Sequence, residues 1–246
     1  MSSRLALAPL SELASPSPEV GPADVDAEPV LAHEDDLPAH APRTNTNTPH
    51  HTATAPQPTA NAPAKSWVDP AALPAHAHAT PVGGSAPAWV KALSYNTLMH
   101  YGVGPADAFG ARVGRALRFT DVSVRPGAGA GGRLEATTTA EVAVTKHMLN
   151  GAGMLHGGCV AYLIDNCCST PLVVLGLSTG TNGVGVTQAL NILFHAPAPL
   201  GTTLQIVSTS IALGGRVMSA RCEILDKDSG RTIASAFLSK MQPAKL

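Results

Sequence analysis

Only one apolar run in this chain has helical length, and it carries a lone acid. Val160, Ala161, Leu163 and Ile164 precede Asp165, and Cys167, Cys168 and Leu172 follow it. A helix that is apolar around most of its circumference has to be enclosed by other elements. Asp is almost never fully buried without a partner. The run therefore demands both a wrapping layer and an account of Asp165.

The remaining periodicity supplies the wrapper. Leu134, Ala136, Thr138, Ala140, Val142 and Val144 alternate with polar residues, which predicts a strand over Leu134–Val144. A partner strand is expected within Phe109–Arg125, where Leu117 and Phe119 and then Val122 and Val124 alternate with a slip near Asp121. Pro126 to Gly132 joins them as a turn of Gly, Ala and Pro. Four further strands are expected over Gly183–Phe194, Thr202–Leu213, Arg216–Leu225 and Thr232–Met241, with Gly214-Gly215 and Asp226–Gly230 as hairpin turns. A first helix should start with Ser85 as its cap and Pro87 in its first turn, run to Met99 or His100, and end near Gly102. The apolar helix should run from His156 to about Leu175, with Pro171 kinking or ending it and Gly176 and Gly180 closing the region. The expected class is α+β, with a long central helix wrapped by a curved antiparallel sheet of about six strands.

Composition divides the chain in two. Fifteen of the 21 prolines lie between Pro9 and Pro87, and no aromatic residue precedes Trp67. Residues 1–66 hold three basic side chains against eight acidic ones. Such a Pro/Ala/Thr-rich, acidic stretch cannot bury enough surface to offset its chain entropy, so residues 1–84 are expected to be a disordered tail. Residues 85–246 are enough for one domain with a core.

Several function classes are disfavoured. The domain's basic residues are scattered rather than clustered with aromatics, which argues against nucleic acid. No apolar run is expected to reach the ~20 residues of a membrane span. His147, His195 and the tail histidines lack metal-ligand spacing, so no metal or other cofactor is expected. There is no phosphate-binding glycine loop and no G-x-S-x-G elbow. Cys159, Cys167, Cys168 and Cys222 include no C-x-x-C and are expected to be reduced, buried thiols. The first 30 residues carry one basic and five acidic side chains, a poor organelle presequence, so the cytosol is the expected compartment.

The chemistry gathers around the apolar helix. Apolar surroundings would raise the carboxyl pKa of Asp165 and make it a usable base near neutral pH. Gly157 and Gly158 at the helix start expose backbone N–H groups at the positive end of the helix dipole, where an oxyanion can be held. His156 is expected to order the loop or to donate to Asn150. The Asn150 amide could orient water or a carbonyl. Helix geometry puts ~13 Å between His156 and Asp165. One carbonyl would reach both only if a second subunit supplied the acid, which predicts a dimer.

The pattern Asn150-x5-His156-Gly157-Gly158-x6-Asp165 precedes a strand with Thr187, and Asn191-Ile192-Leu193-Phe194-x2-Pro197-x2-Leu200-Gly201 follows. It resembles the hotdog-fold acyl-CoA thioesterases, in the branch of the phenylacetyl-CoA and thioesterase superfamily member 2 type, over about residues 95–243. The resemblance implies a hotdog fold and a homodimer or a dimer-of-dimers tetramer with active sites at the dimer interface. It implies that Asp165 is the general base or nucleophile, that Gly157 is the oxyanion donor, and that Asn150 and His156 orient carbonyl and water. Thr187 is implied as a helper for the attacking water, with Gly158 beside the substrate. Arg216 and Lys240 are implied to meet the nucleotide part of coenzyme A, which enters as part of the acyl-CoA substrate. Two other functions fit the residues: an acyl-thioester dehydratase, and a non-catalytic acyl-CoA-binding or scaffold protein.

Overall fold

The computed structural model describes residues 68–78, 80–127 and 132–242. The expected disordered tail up to residue 67, and most of the turn after Pro126, lie outside these residues. Six strands form one antiparallel sheet: β1 (Arg118–Pro126), β2 (Leu134–Ala143), β3 (Val186–Phe194), β4 (Thr203–Leu213), β5 (Val217–Asp226) and β6 (Thr232–Met241). Their spatial order is β1-β2-β4-β5-β6-β3, so the strand that follows the long helix crosses to the far edge. The α+β class and the strand count agree with the sequence periodicity. The slip near Asp121 is a β-bulge between Phe119 and Asp121.

Phe109 is not part of β1. A short helix, α2 (Ala111–Gly114), intervenes, and the strand starts at Arg118. The preceding helix α1 (Ala88–Thr97) also starts differently from expectation. Ser85 does not cap it: its hydroxyl donates to the Val124 carbonyl and accepts from the Val124 N–H, tying the chain to β1. Helical winding continues past Thr97 as a π-type segment, Leu98–Val103, and Gly104 terminates it with positive φ. Gly102 sits inside this segment, where a Cβ would strike Asn166 Oδ1.

The central helix α3 spans Gly157–Thr179. Pro171 does not end it. The helix runs two further turns and closes on Gly180 in the left-handed region. Proline removes one backbone donor at Cys167, while Thr170 and Ser169 return their hydroxyl protons to the Asn166 and Asp165 carbonyls one turn earlier. By length and composition α3 could cross a membrane, contrary to the expectation that no run could. Its apolar side chains, Leu163, Ile164, Leu172 and Val174 among them, are instead fully buried with Leu204, Ile206 and Ile224 of the sheet in one core. At about 25 cal/mol per Å² of apolar surface, that burial is what holds helix to sheet.

Residues 68–84, which composition groups with the tail, lie against α1 and β1. Gly83 exchanges backbone hydrogen bonds with Thr120 and Val122 (2.9 and 3.1 Å), forming a parallel bridge beside β1. The Lys91 ammonium donates to the Val82 and Gly84 carbonyls, and His78 stacks on Tyr95 with ring centres 4.0 Å apart. Gly84 has φ +92°, and a Cβ there would strike the Val122 carbonyl, so this crossing requires glycine.

Candidate active site

Two local rules bring four polar side chains together at the middle of α3. Asp165 and Ser169 are one helical turn apart and share a face. Thr187 and Lys240 are directly opposed in the β3–β6 ladder, so their side chains project from the same side of the sheet. A bulge between Thr187 and Ala189 re-aims this end of β3. The Thr187 hydroxyl donates to Asp165 Oδ1 at 2.6 Å. The Lys240 ammonium donates to Ser169 Oγ at 2.7 Å and to Thr187 Oγ1 at 3.4 Å. Ser169 in turn donates to the Asp165 backbone carbonyl at 2.5 Å.

Asp165 is half-buried, and the Thr187 hydroxyl, with Ser169 and Lys240 beside it, stands among apolar walls of Leu98, Val173, Val184 and Val186. Lys240 was expected near the nucleotide of coenzyme A. It is only 7% exposed and sits behind Thr187 instead. Desolvation pushes its ammonium below the ordinary lysine value, and the Asp165 carboxylate and Cys168 pull it back up. Arg216 is exposed at the β4–β5 turn, where its carbonyl accepts from Gln242, beyond the end of the cluster.

Two cavities meet at Asp165. One, of about 320 Å³, lies between α1, the π segment and α3, and is lined by Thr97, Thr170, Ser169, Lys240 and Thr187. The other, of about 600 Å³, runs along α3 towards its start, past Tyr162, Ala161 and Gly158, with Phe109 on its rim. Tyr101, Gly102, Asp165, Asn166 and Thr187 border both. Gly158 and Asp165 thus open on one groove, as a seven-residue spacing on a helix allows.

The start of α3 is built by His156 acting as its N-cap. Its Nδ1 accepts the Gly158 N–H at 2.8 Å, which puts the proton of a neutral ring on Nε2. A Cβ on Gly158 would crowd that nitrogen at 3.1 Å. His156 does not donate to Asn150. Asn150 Oδ1 closes its own loop by accepting from the Ala152 and Met154 N–H groups at 2.9 and 3.1 Å. The Gly157 N–H has no hydrogen-bond partner among the described residues, although those of Gly158, Cys159 and Val160 all do. A Cβ on Gly157 would make only ordinary contact with the Phe194 ring, at 3.5 Å. Packing within the subunit does not require glycine there.

The thiols of Cys159 and Cys167 offer no nucleophile near neutral pH, and that of Cys222, which its hydrogen bond with Cys168 holds below the ordinary value, is buried and lines neither cavity. Burial pushes Cys159 up to about 11 and Cys167 higher still, and Cys168 and Cys222 are buried side by side. Among the described residues no three His, Cys, Asp or Glu side chains gather as a metal site. The sequence reading missed Ser169, Asn166 and Tyr101. Ser169 carried a signal, its helical i+4 spacing from Asp165. The other two are brought in by the π segment, which no periodicity announces.

Residues 152–233 match the Thioesterase superfamily. The chain is 30% identical over 100 residues to human acyl-coenzyme A thioesterase 13, covering 41% of this chain and 69% of that protein. It is 31% identical over 101 residues to mouse acyl-coenzyme A thioesterase THEM4, covering 40% of this chain and 41% of that one. Zebrafish thioesterase superfamily member 2 superposes on 60% of this chain and 97% of its own, with 24% identity and a TM-score of 0.47. The chain belongs to the thioesterase superfamily.

Proposed function

We propose that the protein hydrolyses acyl-CoA thioesters to a carboxylic acid and coenzyme A. The observation that carries this reading is the Thr187–Asp165 hydrogen bond at the junction of the two cavities. With Oδ1 occupied, the second carboxylate oxygen is left for water. Thr187 spends its proton on Asp165, so towards water its oxygen can only accept. A water donating to both acceptors turns a lone pair outward, towards a carbonyl carbon.

In the attack, the water oxygen bonds to the thioester carbon and its proton passes to Asp165. The carbonyl oxygen becomes an oxyanion, held by a Gly157 N–H at the start of an α3 helix. Collapse breaks the carbon–sulfur bond, and the departing thiolate recovers the proton from Asp165. No cofactor enters the scheme. The Gly157 N–H points to no partner within its own subunit, and that supports a second copy bringing it to the site. His156 Nε2–H and the Asn150 side-chain amide are the remaining donors at that end, and Arg216 is an exposed cation for the anionic end of coenzyme A.

The test is thiol release from a panel of acyl-CoAs, run beside carrier-protein thioesters. Wild type should liberate free coenzyme A and Asp165→Asn should not. Hydrolysis that survives both Asp165→Asn and Asp165→Ala would remove the carboxylate from the mechanism.

A further inference from the structure

Lys240 is a buried cation for which neither the core nor the proposed hydrolysis has so far needed a role. Burying an ammonium is costly unless it is paired and hydrogen-bonded, so its surroundings should show what it serves. Its ammonium reaches two hydroxyls, Ser169 Oγ at 2.7 Å and Thr187 Oγ1 at 3.4 Å. Ammonium is donor-only, so each hydroxyl must offer it a lone pair and send its own proton elsewhere. Both protons go to Asp165: that of Thr187 to the carboxylate, that of Ser169 to the backbone carbonyl. One cation therefore sets the direction of two hydroxyls that hold the same residue from two sides.

We propose that Lys240 is a positioning residue for the thioester hydrolysis: through Thr187 and Ser169 it fixes the orientation of the Asp165 carboxylate. This rests on Asp165 being the base of that reaction. The titratable neighbours of the ammonium are Asp165 and the Cys168 thiol from α3, with Tyr101 of the π segment across the shared cavity. β3 presents Thr187 and β5 presents Met218, neither of which titrates. Removing the ammonium frees both hydroxyls to turn their protons elsewhere, so the carboxylate loses the contacts that aim it.

The experiment compares kcat and KM of wild type, Lys240→Met and Lys240→Arg, with folding checked by circular dichroism. In Lys240→Met kcat should fall about 10- to 100-fold through misplacement of the base, with KM little changed. Lys240→Arg keeps a cationic donor and should recover most of that loss, which a merely structural lysine would not require. Ser169→Ala, which leaves the buried charge in place, should give a smaller loss of kcat. It serves as the test of hydroxyl positioning if Lys240→Met does not fold.

A second readout does not depend on turnover. Coupling is reciprocal, so the Lys240 ammonium followed by nitrogen NMR should titrate at lower pH in Asp165→Asn than in wild type. If wild type hydrolyses no thioester but this titration moves, the proposed reaction fails and the pairing stands. If wild type is active, an undiminished kcat in folded Lys240→Met, or an ammonium indifferent to Asp165→Asn, overturns the role of Lys240.

Discussion

The two functional stretches of α3 are built on opposite plans. At mid-helix, Asp165 is held by its own chain: Thr187 reaches it from the sheet and Ser169 from the next helical turn, with Lys240 behind both hydroxyls. At the helix start, His156 and Asn150 turn their acceptors inward to cap and close the local backbone, and the Gly157 N–H is left without a partner. One cluster is closed within the chain, and the other leaves a donor open. The difference fits the proposed hydrolysis, in which a carboxylate base is aimed before substrate binds and an oxyanion donor stays vacant until charge develops.

The sharpest way to break this contrast is at the closed cluster. Asp165→Asn should lower kcat by about 10²- to 10⁴-fold, the range for loss of a general base, with the fold retained. A fall of less than tenfold in steady-state thiol release would deny Asp165 that role. Next in size is Gly102→Ala, which drives a methyl group into Asn166 Oδ1. Overpacking of this kind should cost about 1–3 kcal/mol in urea denaturation and should perturb activity as well, since Gly102 borders both cavities. A silent Gly102→Ala would mean that the π segment yields freely.

At the helix start the expected stability change is smaller. His156→Ala removes the cap from the Gly158 N–H and should cost about 1 kcal/mol in the same denaturation experiment. A cost near zero would mean that water caps α3 equally well. The smallest effect calibrates the rest, from a charge remote from both sites. Glu141 on β2 is gripped by Lys227 at 2.7 Å and Arg118 at 2.6 Å, which holds its carboxyl below the ordinary value of 4.5. A depressed acid stabilises the fold above its unfolded value, and that contribution disappears as pH falls through the lower folded value. Glu141→Gln should therefore lose under about 1 kcal/mol at pH 7, and the deficit should vanish on acidification below 4.5. A deficit independent of pH would show packing, not charge, at that position.

Much of the architecture was legible because its signals are local. Alternation over residues 134–144 and 203–241 reports a sheet with one buried face, and the slip at Asp121 reports a bulge. The misreadings came where tertiary contacts outrank local preference. Pro171 stays inside α3 because the helix is sheathed by sheet, so packing outweighs one lost hydrogen bond. Residues 68–84 look like tail by composition, yet their backbone finds partners on β1 and α1.

For the site, the sequence by itself determined that an acid would stand in an enclosed helix, behind a glycine-rich start equipped with backbone donors. Only the tertiary structure decided what surrounds that acid. The crossing of β3 to the far edge of the sheet pairs Thr187 with Lys240, 53 residues further on, and sets Thr187 against Asp165 with Lys240 behind it. Helical spacing is written into neighbouring residues and can be counted. A cross-strand pair depends on which strands meet and in what register, and no stretch of sequence contains that until the sheet closes over the helix.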